Sequence, residues 1–231
     1  MDFRKYRIER VEEKGGSVRT FLLMPLEGRQ PSFQPGNFFL LMLRTAAGKP
    51  LFRPYSVASQ PGEEGLLFCI KNGGEFTSLL FALGEGGEIE VDGPYGTFTL
   101  AAEDSFRVFI AGGVGISPLR GMALQSAAEG MPCALFQSAK EKSGLFFSEE
   151  FEGLAKGGRG FSYFTALTQE QPEGFGGIAG RITAERMKEK LGSLEGKAYY
   201  ICGSKEMASQ LATELIAAGV PKASVHKEEW G

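Results

Sequence analysis

A glycine-rich stretch, IAGGVGISP at residues 110–118, constrains the fold of this chain more than any other feature of its sequence. It follows a β-branched and aromatic run at 107–111, which is typical of a buried strand, and it precedes apolar residues at helical spacing. The proline suits the start of that helix, because its missing N–H would have no partner there. A strand, a glycine turn and a helix aim N–H groups at one point, which favours a bound phosphate. Taken alone, the pattern is also that of an ordinary tight strand-to-helix turn.

The second half of the chain alternates between strand patterns and helix patterns. Predicted strands lie at 107–111, 133–137, 161–165 and 197–202, and predicted helices lie at 118–129, 147–155, 183–191 and 205–218. This alternation predicts an α/β domain with a doubly wound parallel sheet, because parallel strands are joined by helical crossovers.

The first half of the chain has the pattern of a β domain. Predicted strands lie at 6–11, 18–24, 37–43, 53–59, 66–71 and 88–91, with one inserted helix at 77–83. Six short strands with glycine turns between them predict a small antiparallel barrel. The two patterns meet near 101–105, so we predict two domains, 1–102 and 103–231.

Composition excludes several classes of function. The chain has 231 residues, enough for two small domains, and a formal net charge of −3, which gives no reason to expect nucleic-acid binding. Its three cysteines lie far apart and its single histidine has no partners, so we predict no disulfide, no iron–sulfur cluster and no metal site. Neither a signal peptide nor an apolar run of membrane-spanning length is present, so we expect a cytoplasmic protein without a membrane span.

Two stretches of the predicted barrel contain residue types that are suited to binding a ligand. In the RPYS stretch, Arg53 and Tyr55 would share one strand face, pairing a phosphate-binding guanidinium with a flat ring, and Ser56 adds a hydroxyl. The KNGGEFTS stretch at 71–78 runs from a glycine turn into a helix, which is a second anion site by the same physics. A surface arginine on a strand and an ordinary helix cap explain these stretches equally well when each is taken alone.

Together, however, the stretches resemble the ferredoxin–NADP reductase family. The resemblance rests on motifs that occur in the family's order along nearly the whole chain. These are PGNF at 35–38, RPYS at 53–56, the Gly-x-x-Thr of 74–77, GPYG at 93–96, the Gly-Gly-x-Gly-x-x-Pro of 112–118, and CG at 202–203. The resemblance implies a flavin-binding barrel followed by a nicotinamide-binding α/β domain, and a barrel followed by an α/β domain is also what the patterns predict.

The resemblance implies an FAD site on the barrel. Arg53 would hold the flavin pyrophosphate, Tyr55 would stack on the isoalloxazine, and Ser56 would hydrogen-bond near the atom that accepts hydride. The implied FAD contacts are Arg53, Pro54, Tyr55, Ser56, Val57, Gly73, Gly74, Phe76, Thr77 and Ser78. The tail is similar to family tails with an acid two residues before an aromatic, which assigns Glu228 a catalytic role at the flavin edge. Trp230 would cover the ring face and move aside for nicotinamide.

The resemblance also implies a nicotinamide-nucleotide site on the second domain. Gly113, Gly115 and Pro118 would carry the cofactor's pyrophosphate, and Cys202 with Gly203 would lie by the nicotinamide, with Cys202 catalytic. Ser138 and Lys140 follow the second predicted strand of the sheet, where NAD-specific folds place an acid on the ribose. Lys140 and Lys142 could meet a 2′-phosphate, whereas Gln169 replaces an arginine of NADP-specific relatives, so NADPH is slightly favoured.

The expected reaction is FAD-dependent NAD(P)H oxidation. Because the chain has no clustered cysteines, electrons would leave to a separate ferredoxin- or flavodoxin-like carrier or to a diffusible acceptor. Two alternatives share the architecture: a free-flavin reductase that treats flavin as a substrate, and an electron-transfer subunit of a larger enzyme.

Overall fold

The structure, a computed structural model, describes residues 2–15, 17–158, 160–170 and 172–230. The first half contains β1 (Arg4–Gly15), β2 (Val18–Pro25), β3 (Phe38–Arg44), β4 (Pro50–Ser56), β5 (Leu66–Lys71), α1 (Glu75–Leu83) and β6 (Glu88–Tyr95). These strands form one antiparallel sheet in the order β4-β3-β6-β1-β2-β5. The predicted six-stranded antiparallel domain is therefore confirmed.

The barrel closes where the chain leaves β4. The N–H of Ala58 donates to the carbonyl of Leu67 on β5 at 2.7 Å, which joins the two outer strands of the sheet. Inward-facing aromatic side chains fill the interior, and Phe21, Phe39 and Phe68 are all fully buried. Burying side chains of this size is the main stabilising contribution in so small a domain.

The second half is the predicted parallel α/β domain, with two more strands than the sequence analysis predicted. It contains β7 (Arg107–Gly112), α2 (Ile116–Ala128), β8 (Cys133–Ala139), α3 (Ser148–Lys156), β9 (Phe161–Leu167), β10 (Ile178–Ala179), α4 (Ala184–Leu191), β11 (Ala198–Ser204), α5 (Lys205–Ala217) and β12 (Val225–Trp230). The sheet order is β10-β9-β8-β7-β11-β12, and all pairs are parallel.

Both faces of this sheet are covered by helices. In β7, Phe109 points to the face covered by α2 and α3, and its neighbours Val108 and Ile110 point to the face covered by α4 and α5. All three side chains are fully buried. A strand buried on both faces requires a nearly continuous apolar run, which is why the sequence pattern identified it.

Several predicted bounds were wrong by a few residues. The strand predicted at 53–59 ends at Ser56, because the next residues leave β3 to bond with β5. The helix predicted from Pro118 begins at Ile116, and Pro118 lies in its first turn, where no N–H is needed. Strand β12 was missed because its sequence, VHKEEW, is polar and lies at the edge of the sheet.

Contacts join the two domains at several places, including the segment after β6 and helix α2. Residues between β6 and β7 are held to the sheet by Arg107, whose Nη2 donates to the carbonyl of Ala101 at 3.1 Å. On α2, Gly121 packs against the barrel so closely that a Cβ there would lie 2.6 Å from the carbonyl oxygen of Ser59. None of the described helices is long and apolar enough to cross a membrane.

Candidate functional site

The first part of the site is a cavity of about 260 Å³ at the start of α1. Its lining contains two cations, Arg53 and Lys71, and the glycine turn that precedes the helix. The full lining is Arg53, Tyr55, Lys71, Gly73, Gly74, Glu75, Phe76 and Thr77. Most of the sequence-predicted flavin contacts therefore share one cavity.

The turn before α1 is shaped by Thr77. Its Oγ accepts the N–H groups of Gly73 and Gly74, each at 3.0 Å, and donates to Asn72 Oδ1 at 3.0 Å. The first-turn N–H groups of α1 remain without acceptors inside the helix. A Cβ at Gly73 or Gly74 would meet nothing within 4 Å, so the space in front of them is open. Open space beside two cations and a helix N-terminus fits a pyrophosphate.

The second part is a smaller cavity of about 150 Å³ where the two domains meet. Pro54, Tyr55 and Ser56 line it from the barrel, and Val114 and Ser117 line it from the α/β domain. The ring of Tyr55 is half-buried, which raises the pKa of its phenol to about 12, so it stays neutral. A neutral aromatic face at the edge of this cavity fits the planar ring of a flavin.

Ser56 and Glu228 meet beside this cavity across the domain boundary. Ser56 Oγ donates to Glu228 Oε2 at 3.2 Å, although 172 residues separate them. Burial raises the pKa of the Glu228 carboxyl above its ordinary value, and the hydrogen bond from Ser56 opposes that shift. The contact fixes the serine hydroxyl, which is only 5% exposed as a residue. Both groups are implied catalytic residues, and the fold brings them together.

The third part is an interdomain cleft of about 670 Å³ along the carboxyl ends of the parallel strands. It contains Gly113, Gly115, Ser138, Lys140 and Gly203. A Cβ at Gly115 would collide with the carbonyl oxygen of Cys202, so only glycine allows the turn to pack against β11. The carboxyl edge of an open parallel sheet is where dinucleotides bind.

Other implied residues lie outside these three cavities. Val57 and Pro118 are buried in the barrel core and in α2, and exposed Ser78 donates to Asn72 Oδ1 at 3.4 Å. Cys202 is fully buried behind the wall of the cleft. Trp230 ends β12, and its side chain lies outside what the structure describes.

Sequence reasoning missed two charged residues of the site. Lys71 lines all three cavities, and its position directly before the Asn-Gly-Gly turn could have indicated its role. Glu141 lines the large cleft beside Lys140. Lys142, the second cation expected at a 2′-phosphate, lines a different cavity between α3 and the loop before β10. The charge at this end of the cleft is thus more balanced than expected.

A barrel with a phosphate turn, joined to a parallel sheet with a dinucleotide cleft, defines a flavin- and nicotinamide-binding oxidoreductase. Comparison with known families agrees, domain by domain. Residues 6–100 match the oxidoreductase FAD-binding domain, and residues 109–213 match the oxidoreductase NAD-binding domain. The chain belongs to the ferredoxin–NADP reductase-like family of FAD-dependent oxidoreductases.

Individual proteins resemble the chain at low identity. The phenol hydroxylase P5 protein of Acinetobacter pittii is 28% identical over 224 residues, which cover 92% of this chain and 60% of that protein. The chain spans from about half to 60% of the length of the curated relatives that it matches.

Solved structures share the fold over the whole chain. The flavohem-like FAD/NAD-binding domain of nitric oxide dioxygenase from Vibrio cholerae superposes with a TM-score of 0.90 at 20% identity, covering 100% of both chains. A ferredoxin NADP⁺ reductase from Neisseria gonorrhoeae, with bound FAD and NADP, gives a TM-score of 0.83 at 20% identity and covers 100% of this chain and 98% of that one.

Proposed function

We propose that this protein transfers hydride from NAD(P)H to FAD and passes the electrons on to a separate acceptor. The flavin-binding unit would span residues 1–102 and the nicotinamide-binding unit residues 103–231. The observation that carries the proposal is the Ser56–Glu228 contact, at 3.2 Å, beside the interdomain cavity lined by Tyr55. Lys71 connects this cavity to the cleft and to the phosphate turn, since it lines all three.

On the flavin side, different residues contact the pyrophosphate, the ring and the reacting edge of FAD. When bound, FAD supplies the redox chemistry by accepting two electrons together and releasing them one at a time. Arg53 and Lys71 hold its pyrophosphate against the first turn of α1, and Tyr55 stacks on its ring. Ser56 would place its hydroxyl near the atom that takes up hydride, and Glu228, which accepts a hydrogen bond from that hydroxyl in this structure, would hold it in place.

On the nicotinamide side, the glycine turn after β7 orients the second nucleotide. Gly113 and Gly115 let the backbone approach the pyrophosphate, and the end of β11 at Cys202 and Gly203 lies by the nicotinamide. A cover over the flavin face formed by Trp230, and displaced by nicotinamide, stays a prediction from the family resemblance, because this side chain lies outside what the structure describes. Hydride transfer requires reacting atoms about 3–3.5 Å apart, so these residues act by positioning.

The acceptor is proposed to be a small ferredoxin- or flavodoxin-type carrier or a diffusible oxidant. The proteins that resemble the chain include the phenol hydroxylase P5 protein and a ferredoxin NADP⁺ reductase, and the second of these names contains a ferredoxin. The three cysteines of these 231 residues are spaced too widely for an iron–sulfur cluster, so the electrons would leave these two domains for an acceptor outside them.

Retention of FAD is the first test of this function. Purified protein should remain yellow through gel filtration, and Arg53→Gln should weaken FAD binding roughly 10- to 100-fold, because a charge-assisted contact to phosphate contributes about 1.5–3 kcal/mol. Binding is measured by quenching of flavin fluorescence. Arg44→Gln is the control, since Arg44 is an exposed cation at the end of the adjacent strand and lines none of the three cavities. Equal affinity in both variants, or flavin that exchanges freely, would refute a retained cofactor held by Arg53.

Preference for NADPH over NADH is the second test. Lys140 should attract the 2′-phosphate and Glu141 should repel it, each by about 1 kcal/mol or roughly fivefold in an exposed setting. We therefore expect Lys140→Gln to lower kcat/KM for NADPH with little change in kcat/KM for NADH. Glu141→Gln is expected to raise kcat/KM for NADPH. Steady-state kinetics with both nucleotides measure the ratio. A parental kcat/KM for NADH equal to or above that for NADPH would reverse the assignment.

A further inference from the structure

The tip of the β1–β2 hairpin belongs to the barrel but reaches the nucleotide cleft. The described residues of this hairpin tip are Lys14, Gly15, Ser17 and Val18. Three of them, Gly15, Ser17 and Val18, line the 670 Å³ cleft opposite the loop that follows β8. The proposed function assigns them no role.

The hairpin tip is seated against the second domain rather than projecting into solvent. Val18 is only 5% exposed and packs in the core cluster that contains α2 and α3. Lys14 Nζ lies 5.5 Å from the centre of the Phe147 ring. Gly15, with φ of +95°, sits so close to Ser143 that a Cβ would lie 3.1 Å from its carbonyl oxygen. This packing makes the tip a fixed wall of the cleft.

The same hairpin tip is bonded to the phosphate turn of the flavin site. The N–H of Asn72 donates to the carbonyl of Ser17 at 2.7 Å, and Asn72 Oδ1 accepts from Thr77 Oγ at 3.0 Å. Thr77 in turn shapes the glycine turn before α1. One short chain of hydrogen bonds thus runs from the proposed FAD pyrophosphate to the wall of the nicotinamide-nucleotide cleft.

Strand order indicates which half of the dinucleotide meets this wall. The nicotinamide is assigned to the end of β11 and the pyrophosphate to the turn after β7, so the adenosine half extends over β8, the next strand in the sheet. Ser143, which faces Gly15, lies in the loop directly after β8. The hairpin tip is therefore opposite the adenosine end.

We propose that the hairpin tip, through Gly15 and Ser17, forms part of the binding site for the adenosine half of the nicotinamide dinucleotide. The inference rests on the proposed function and adds a barrel element to a site otherwise built by the second domain. Ser17 and Ser143 both line this cleft, and their hydroxyls are groups that can hydrogen-bond to ribose and phosphate oxygens. Bulk at the tip should weaken binding of adenosine nucleotides without altering chemistry at the nicotinamide end.

The test compares Gly15→Ala with Gly48→Ala in the FAD-loaded protein. Gly48 has φ of +79° in the β3–β4 hairpin and nothing within 4 Å of its Cβ position, so it matches the backbone strain without touching the cleft. Calorimetric titration with AMP should show affinity reduced about tenfold in Gly15→Ala, equivalent to ~1.4 kcal/mol, and unchanged in Gly48→Ala. Ser17→Tyr, which adds a ring at an exposed position of the wall, should weaken AMP binding as well.

Reduced nicotinamide mononucleotide, which lacks adenosine, separates this inference from the proposed function. Its rate of flavin reduction should be the same in Gly15→Ala, Ser17→Tyr and the parental protein, whereas KM for NADPH should rise in both variants. If both variants bind AMP as tightly as Gly48→Ala, the hairpin tip is only an interdomain contact and the inference is wrong. If the parental protein itself binds no AMP and is not reduced by either nucleotide, the proposed function fails as well.

Discussion

Ser56→Ala is expected to slow reduction of bound FAD by NADPH on the order of 10²-fold, about 2.7 kcal/mol, with little loss of FAD. The reason is the loss of a fixed hydroxyl: Ser56 is held by Glu228 at 3.2 Å beside the cavity that would take the flavin ring. Cys202→Ala is expected to slow the same step through positioning, because the fully buried Cys202 packs in the core at the end of β11 that contacts Gly115. Stopped-flow absorbance of the flavin measures both effects.

Matched controls exist for both substitutions. Cys133→Ala removes another fully buried cysteine of the same sheet, and Ser59→Ala removes a buried serine of the same barrel that bonds only within it, to Gly65 and Leu67. Neither side chain lines the site, so both controls should be reduced at the parental rate. Wild-type speed in Ser56→Ala and Cys202→Ala would show that the reacting atoms lie elsewhere.

Arg120→Met is expected to lower the free energy of unfolding by about 3 kcal/mol, near the lower end of the range for breaking a buried ion pair. Arg120 is 7% exposed and donates to both carboxylate oxygens of Glu63 at 2.9 Å and of Glu150 at 2.6–2.7 Å. Nη1 also donates to the carbonyl of Ala58 at 2.9 Å. Glu63 and Ala58 belong to the barrel and Glu150 to α3, so this one side chain joins the domains.

The size of this loss of unfolding free energy follows from the acceptors that methionine leaves without a hydrogen-bond donor. Two carboxylates and a buried carbonyl would lose their donor, but Glu63 and Glu150 remain 32% and 34% exposed, which lets water offset part of the cost. Urea denaturation of the FAD-loaded protein measures the change. Arg7→Met is the control, because the exposed Arg7–Glu9 pair should contribute less than about 1 kcal/mol. Adding Glu63→Gln to Arg120→Met should recover part of the loss, and equal effects at positions 7 and 120 would contradict the interdomain role.

Local sequence was sufficient for the parts of the protein that depend on short-range physics. The strand–glycine–helix unit at β7 and α2 was predicted because a strand buried on both faces needs a continuous apolar run. The barrel strands were predicted from short strand-like runs separated by glycine turns, and the placement of Arg53 and Tyr55 on one strand face follows from the two-residue period of β structure. Both domains were therefore predictable in class and in order along the chain.

Tertiary structure alone decided how the site is assembled. Strand β12 is polar, so its sequence does not predict a strand. Its pairing with β11 nevertheless brings Glu228 to Ser56, 172 residues away in the chain. Lys71 looked like the end of an ordinary strand, and the hairpin tip at Gly15 looked like a simple turn, until domain packing placed both on the cleft. The sequence determined each element through its own periodicity and backbone preferences. Contacts between elements depend instead on the register, closure and docking of two domains, which no local pattern encodes.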